Sequence, residues 1–117
     1  MEFTVDRRLV EGVEVLEVEG VIDLYTAPIL RKILLEVLAV EGVSVVLDLD
    51  GVDSLDSTAL GVLAIGLKRT RENGGSLQLV CTHVQILYLF RIIGFNEKFG
   101  IHPSVQAAVA AIRKPSQ

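Results

Sequence analysis

The chain has 117 residues, a formal net charge of −4, one cysteine and no tryptophan, and half of its residues are hydrophobic. That length fits one domain, and the apolar content excludes whole-chain disorder. The acidic balance argues against a surface that grips a phosphate backbone, and a single cysteine excludes an internal disulfide.

Phe3–Leu9 and Val13–Val18 are read as the first two strands, the second from the interleaving of Val13, Val15, Leu16 and Val18 with Glu14 and Glu17. Glu11-Gly12 between them marks a tight turn, which predicts an antiparallel hairpin. Gly20–Tyr25 is expected to be a loop. Thr26 is a candidate helix cap, and Pro28 suits a first helical turn, where its missing N–H has no partner to lose. Leu30, Ile33, Leu34, Val37 and Leu38 then recur at helical spacing, with Gly42 as the stop.

Val43–Leu49 is a β-branched run with few charges, as expected of a strand covered on both faces. A second helix is predicted from about Thr58 to before Asn73-Gly74-Gly75, a buried strand at Leu77–Cys81, and a helix over Val84–Ile93 closed by Gly94. Phe95–Ile101 holds a short strand or an irregular segment. Pro103 opens a last helix with Val105, Ala108, Val109 and Ile112 on one face, and residues 114–117 form a short tail. Strands alternating with helices imply parallel pairing and right-handed crossovers. The expected fold is therefore an α/β domain over residues 1–113, with a mixed, mainly parallel sheet of four to five strands and about four helices. Sites in such sheets gather beyond the carboxyl ends of the strands, here Gly20–Thr26, Asp48–Thr58 and Cys81–Val84.

No stretch approaches the ~20 apolar residues of a membrane span. The first residues show neither the basic segment nor the apolar core of a secretory signal. With one thiol, the simplest setting is the reducing cytoplasm. Few aromatics leave no platform for stacking nucleic-acid bases.

Leu47–Gly61 is the most informative stretch: a buried strand, an acidic loop bearing hydroxyls, then a helix start where Asp56, Ser57 and Thr58 can all cap. At ~100° per residue, Leu60, Leu63, Ala64 and Leu67 are expected to face the sheet. Val62 and Ile65, beside Gly61 and Gly66, would then be apolar on the solvent side, next to a polar helix start. That combination suits a docking surface.

Other chemistries fit poorly. A nucleophile elbow needs Gly-x-Ser-x-Gly, and the frame here is Leu55-Asp56-Ser57-Thr58-Ala59. Cys81 could pair with His83 as a thiol dyad, but a cysteine ending a buried strand behaves as a small hydrophobe. One cysteine and two scattered histidines do not make a zinc site. Asp48, Asp50, Asp53 and Asp56 lack the spacing of a calcium loop. No glycine-rich phosphate cradle is present, so no cofactor is expected.

Asp56-Ser57-Thr58-Ala59-Leu60-Gly61 resembles the Asp-Ser-Ser/Thr-Gly-Leu-Gly signature of bacterial anti-sigma factor antagonists, in the STAS-domain family. The Val45–Asp50 strand, Gly20-Val21-Ile22-Asp23 with Thr26-Ala27, Leu79-Val80-Cys81, Leu89–Gly94 and Ser104–Ala111 extend the match over nearly the whole chain. The resemblance implies a non-enzymatic switch. The unmodified protein binds an anti-sigma factor that is also a serine kinase, and the sigma factor is freed. Phosphorylation from the partner's ATP ends the binding, and a metal-dependent serine/threonine phosphatase restores it. Carried over by position, Ser57 is the phosphoacceptor and Thr58 a second hydroxyl. The resemblance makes Asp23, Asp56, Ser57, Thr58 and Gly61 the expected partner-binding residues, and the helical spacing adds Val62 and Ile65; no metal, nucleic acid or membrane is expected to be involved. Ala59 stands where the family usually has glycine, which restricts close approach at that position. A STAS module that is never phosphorylated and serves as a scaffold in a signalling or transport assembly is the alternative.

Overall fold

The structure, a computed structural model, describes residues 2–114; of the predicted tail, residues 115–117 lie outside the described residues. Five strands form one sheet in the order β1-β2-β3-β4-β5: β1 Thr4–Val10, β2 Val13–Ile22, β3 Ser44–Leu55, β4 Ser76–Val80 and β5 Gly100–His102. β1 runs antiparallel to β2, and every other pair is parallel. The predicted hairpin is present, with positive φ at Glu11 (49°) and Gly12 (81°) carrying the turn.

The helices are α1 Ala27–Leu38, α2 Ser57–Asn73, α3 Val84–Ile93, α4 Phe95–Lys98 and α5 Val105–Arg113. α1, α2 and α3 cover one face of the sheet, over a core containing Leu16, Val18, Leu47, Leu49, Leu77, Leu79 and Phe90. α5 covers the other, against Val13, Val15, Val46 and Val80. Two covered faces explain why Val15 and Leu16, adjacent and on opposite sides of β2, are both buried.

Several boundaries differ from expectation, each for a local reason. β2 continues through Gly20-Val21-Ile22, read from sequence as loop, because Gly20 takes φ +103° and lets the strand kink and resume. β3 continues from Leu49 to Leu55 through what had looked like an acidic loop. The β2–β3 pairing skips a residue between its Glu17–Asp48 and Glu19–Gly51 partners and again beyond Gly20–Val52. These irregularities change which face each side chain meets: Leu49 and Val52, three apart, both enter the same core. α1 ends at Leu38, before Gly42, where Asn73 clamps it: its amide donates to the Leu38 carbonyl (2.5 Å) and its own carbonyl accepts from Gly42 N–H (3.0 Å). The segment after α3 is a single turn, α4, followed by the short strand β5.

The largest correction concerns the rotation of α2. Its buried residues are Ala59, Val62, Leu63, Gly66 and Thr70, while Ala64 is exposed and Leu60 and Leu67 are half-buried. Val62, expected in solvent, is only 5 % exposed. α2 packs against α1 as well as the sheet, and the contact runs along Val62 and Gly66. A Cβ on Gly66 would sit 2.9 Å from Leu34 Cδ2 and 3.0 Å from Leu77 Cδ2, so the glycine admits the neighbouring side chains closely. A helix with two packing partners buries a wider arc than one resting on a sheet alone.

Candidate functional site

The carboxyl ends of β2 and β3 lie side by side, Ile22 opposite Leu55. The next residue of β3's exit, Asp56, donates its backbone N–H to the Ile22 carbonyl at 3.2 Å. That bond fastens the β2–α1 loop to the start of α2, and so places Asp23 and Ser57, far apart in sequence, on one lip of the sheet.

Asp56 is the N-cap of α2. Its Oδ1 accepts from Thr58 N–H (2.9 Å) and Ala59 N–H (3.3 Å), and from the Thr58 hydroxyl. The Thr58 hydroxyl bond above all, with the Ala59 and Thr58 N–H groups, holds the Asp56 carboxyl below its ordinary range against a smaller opposing effect of desolvation. Of the three cap candidates, then, Asp56 does the capping and Thr58 is engaged with it. Ser57 occupies the first helical position, exposed, and takes no part in the cap. The Thr58 hydroxyl is therefore occupied, while that of Ser57 is not drawn into the cap.

The folded-state pKa of Asp56 lies below its unfolded value, so its contribution to stability is complete above the unfolded carboxylate range, near ~4, and is lost as pH falls through the folded value. Asp48 has the opposite sign: burial, the leading cause, pushes its carboxyl up, so it disfavours the fold at neutral pH and stops doing so as acid protonates it. Asp56→Asn is expected to lower Tm at pH 7 and to reduce the further loss of Tm between about pH 5 and about pH 3, roughly one unit either side of an ordinary carboxylate pKa. Calorimetric scans of both proteins across that window measure the difference.

Asp23 organises the adjoining loop. Its Oδ1 accepts from Tyr25 N–H (2.9 Å) and Thr26 N–H (3.1 Å). Thr26 does not cap α1 with its side chain as expected; its hydroxyl donates to the Val21 carbonyl at 2.7 Å and accepts from Asp23 N–H at 2.9 Å. This small network holds out Leu24 and Tyr25, the latter 82 % exposed. An exposed tyrosine beside a polar lip is of the residue type enriched at protein interfaces. Nothing in the hydrophobic periodicity singled out Leu24 or Tyr25, because they lie in a turn; the Asx-turn chemistry of Asp23 was the available signal.

Between α1 and α2 runs an open groove of about 300 Å³ lined by Leu24, Ala27, Pro28, Arg31, Thr58, Gly61, Val62 and Ile65. Gly61 is exposed, with nothing within 4 Å of the place a Cβ would occupy, so it leaves the groove open beside Ser57. Ile65, 38 % exposed, stands on the groove's wall, and Val62 is its buried floor. The predicted apolar patch therefore exists in altered form: Val62 supplies little accessible surface, and Leu24, Tyr25 and Ile29 supply much of it.

The remaining acidic residues have separate surroundings. Asp48 Oδ1 accepts from Asp50 N–H (3.0 Å), and Asp50 Oδ1 accepts from the Thr82 N–H (2.7 Å) and hydroxyl (3.1 Å), tying β3 to the loop after β4. Among the described residues no cluster of three metal-ligating side chains occurs. The Cys81 thiol lies 3.9 Å from the His83 carbonyl oxygen, and burial pushes its pKa up, which disfavours the thiolate a nucleophile requires.

A family model described as STAS domain matches residues 4–108. The chain is 33 % identical over 109 residues to the anti-sigma-B factor antagonist of Bacillus subtilis (strain 168), covering 93 % of this chain and 99 % of that protein. It is 35 % identical over 80 residues to the anti-sigma-B factor antagonist of Listeria monocytogenes serovar 1/2a, covering 68 % and 70 %. Among solved structures, an anti-sigma factor antagonist from Mycobacterium paratuberculosis superimposes with a TM-score of 0.88 at 27 % identity, over 97 % of this chain and 96 % of that one.

Proposed function

The chain belongs to the STAS-domain family, and on that premise we propose that it is an anti-sigma factor antagonist switched by phosphorylation of Ser57. Unmodified, it docks on an anti-sigma factor that is also a serine kinase, and the sigma factor is released. The kinase then transfers the γ-phosphoryl group of ATP to Ser57 Oγ; the hydroxyl proton passes to a base of the kinase and ADP leaves. A metal-dependent serine/threonine phosphatase restores the serine by hydrolysis, releasing inorganic phosphate. All catalysis belongs to the partners, and the cycle takes place in the cytoplasm, where ATP and the sigma factor are found.

The observation that carries this reading is the division of labour at the start of α2: Asp56 holds the helix end, which leaves the neighbouring Ser57 exposed and structurally uncommitted. A phosphate there adds about −1.5 to −2 charges at a helix N-terminus, where the helix dipole favours anions. The fold can therefore carry the modification. A docked partner cannot carry it equally well, because the same dianion borders the Leu24–Ile65 groove and would have to be desolvated beneath an apposed surface.

Within this reading, Asp23 acts by shaping the loop that presents Leu24 and Tyr25, Asp56 and Thr58 by fixing the helix entry, and Gly61 by leaving room for the partner's backbone. Tyr25→Ala is expected to weaken binding to the anti-sigma factor about tenfold, the loss typical of an interface aromatic, with Tm unchanged because the ring is in solvent. Titration calorimetry and a thermal melt on the same sample report the two effects. The central test is incubation with the cognate kinase and ATP, followed by mass mapping. A single phosphate on Ser57, absent from Ser57→Ala, is expected; a stoichiometric phosphate elsewhere, or none, refutes the proposed switch.

A further inference from the structure

α1 carries a second hollow, of about 510 Å³, lined by Pro28, Arg31, Lys32, Leu35, Glu36 and Ala39. Pro28 and Arg31 also line the groove between α1 and α2. The two hollows therefore meet at those residues and make one trough. Pro28, Arg31, Leu35 and Ala39 follow at i, i+3, i+7 and i+11, so the trough keeps to one face of α1 from its first turn to its C-cap, about 16 Å. Leu30, Leu34 and Val37, on the other side of the helix, are buried in the core. Arg31 and Lys32 are exposed. Among the described residues the ion pairs are Arg7–Glu14, Arg8–Glu17, Arg69–Glu72 and Arg113–Glu11, so both cations are unpaired. Glu36 is the only carboxylate lining the trough, which therefore carries an excess of positive charge on a chain of net charge −4.

We propose that the docking segment of the anti-sigma factor does not stop at the α1–α2 groove but continues along α1, and that it is an apolar segment bearing carboxylates, one on Arg31 and one beside Lys32. This rests on the antagonist reading above and names the chemistry of the partner's contacting surface. Arg31 stands where the two hollows join, so a segment that fills both must cross its guanidinium, a fork matched to a carboxylate. A neutral or basic segment would cover two cations without neutralising them, at a desolvation cost with no return. An acidic segment is repelled by the net charge of the chain and finds compensation in the trough, which sets where along the surface it binds. Its apolar side chains meet Pro28, Leu35 and Ala39. Arg31 and Lys32 are in this way specificity-determining residues: they select for partner charge, while Leu24, Tyr25 and Ile65 supply apolar contact.

Titration calorimetry of the full, unphosphorylated chain against its cognate anti-sigma factor tests the proposal. Arg31→Glu is expected to weaken binding at least tenfold and Lys32→Glu about threefold or more, the range for reversing a charge that faces an opposite one. Arg31→Lys is expected to retain most of the affinity, and Lys98→Glu, which changes the net charge equally on α4 and away from the trough, to stay within about twofold of wild type. All four are expected to melt as wild type does, since these side chains are in solvent. The wild-type affinity is expected to fall with added salt more steeply than that of Arg31→Met. Wild-type affinity in both Arg31→Glu and Lys32→Glu overturns the proposal, and so does an equal loss in Lys98→Glu. A loss in Arg31→Glu alone confines the partner to the α1–α2 groove and overturns the extension along α1, because Lys32 lines only the second hollow. Self-association of the chain that Arg31→Glu abolishes would assign the trough to a second copy and overturn it too. Failure of the wild type to bind the anti-sigma factor refutes the antagonist reading itself, and this proposal with it; normal wild-type binding with insensitive variants refutes this proposal alone.

Discussion

Ser57→Asp is expected to weaken binding to the anti-sigma factor at least tenfold, and Ser57→Ala to bind throughout the kinase cycle without being released. Ser57 occupies the first position of α2 and is exposed, next in the chain to Thr58, which lines the groove with Leu24, Gly61 and Ile65. A carboxylate there meets the partner at close range, and tenfold corresponds to about 1.4 kcal/mol, within reach of one poorly solvated charge at an interface. The phosphate itself, with roughly twice the charge, is expected to act more strongly than the aspartate. Neither substitution should disturb the fold, because Asp56 rather than Ser57 accepts the N–H bonds of Thr58 and Ala59. Tm within a degree or so of wild type, together with calorimetric affinities, separates the switch from a stability effect. Unchanged affinity for Ser57→Asp would mean that charge at this position is not what the partner senses.

The second large effect is a contrast within α2. Val62→Lys is expected to destabilise the protein by about 3 kcal/mol or more, since it places an ammonium in a site lined by aliphatic side chains. For a domain of this size that is a fall in Tm of roughly 10 °C or more. Ile65→Lys, one turn further on and partly in solvent, is expected to keep Tm near wild type while lowering partner affinity, because its side chain forms the accessible wall of the groove. From periodicity alone the two positions were equivalent. Thermal melts of both variants distinguish a buried floor from an exposed wall, and equal Tm values would mean that α2 is rotated differently from the arrangement described here.

The same contrast shows where the sequence was readable. α3 was legible to the residue at both ends, because its apolar content is dense and Gly94 ends it. α5 showed its buried face for the same reason: Ala108 and Val109 recur against one sheet face, and Ser104 caps the start by accepting from Ala107 N–H at 3.0 Å. β3 beyond Leu49 was not legible. Its pairing irregularities break the period-two alternation, so a strand rich in aspartate looked like a loop. Likewise, Thr26 has the right chemistry for a cap, but the Val21 carbonyl and the Asp23 N–H compete for its hydroxyl and win.

Of the candidate site, the segment from Asp56 to Gly61 was legible because its polar residues and helix start are contiguous in the chain. Local chemistry determined that a helix begins there, that a hydroxyl stands at its first turn, and that the strands on either side run parallel. Only the tertiary structure decided that the β2–α1 loop lies against that helix start and that Leu24 and Tyr25 are its exposed apolar surface. It also decided that Val62 is floor rather than rim. The physical reason is that short-range periodicity records which side chains avoid water, whereas the arc a helix buries depends on how many neighbours it packs against. α2 has two, and the second, α1, contacts it through residues more than twenty positions away in the chain, a distance no local pattern encodes.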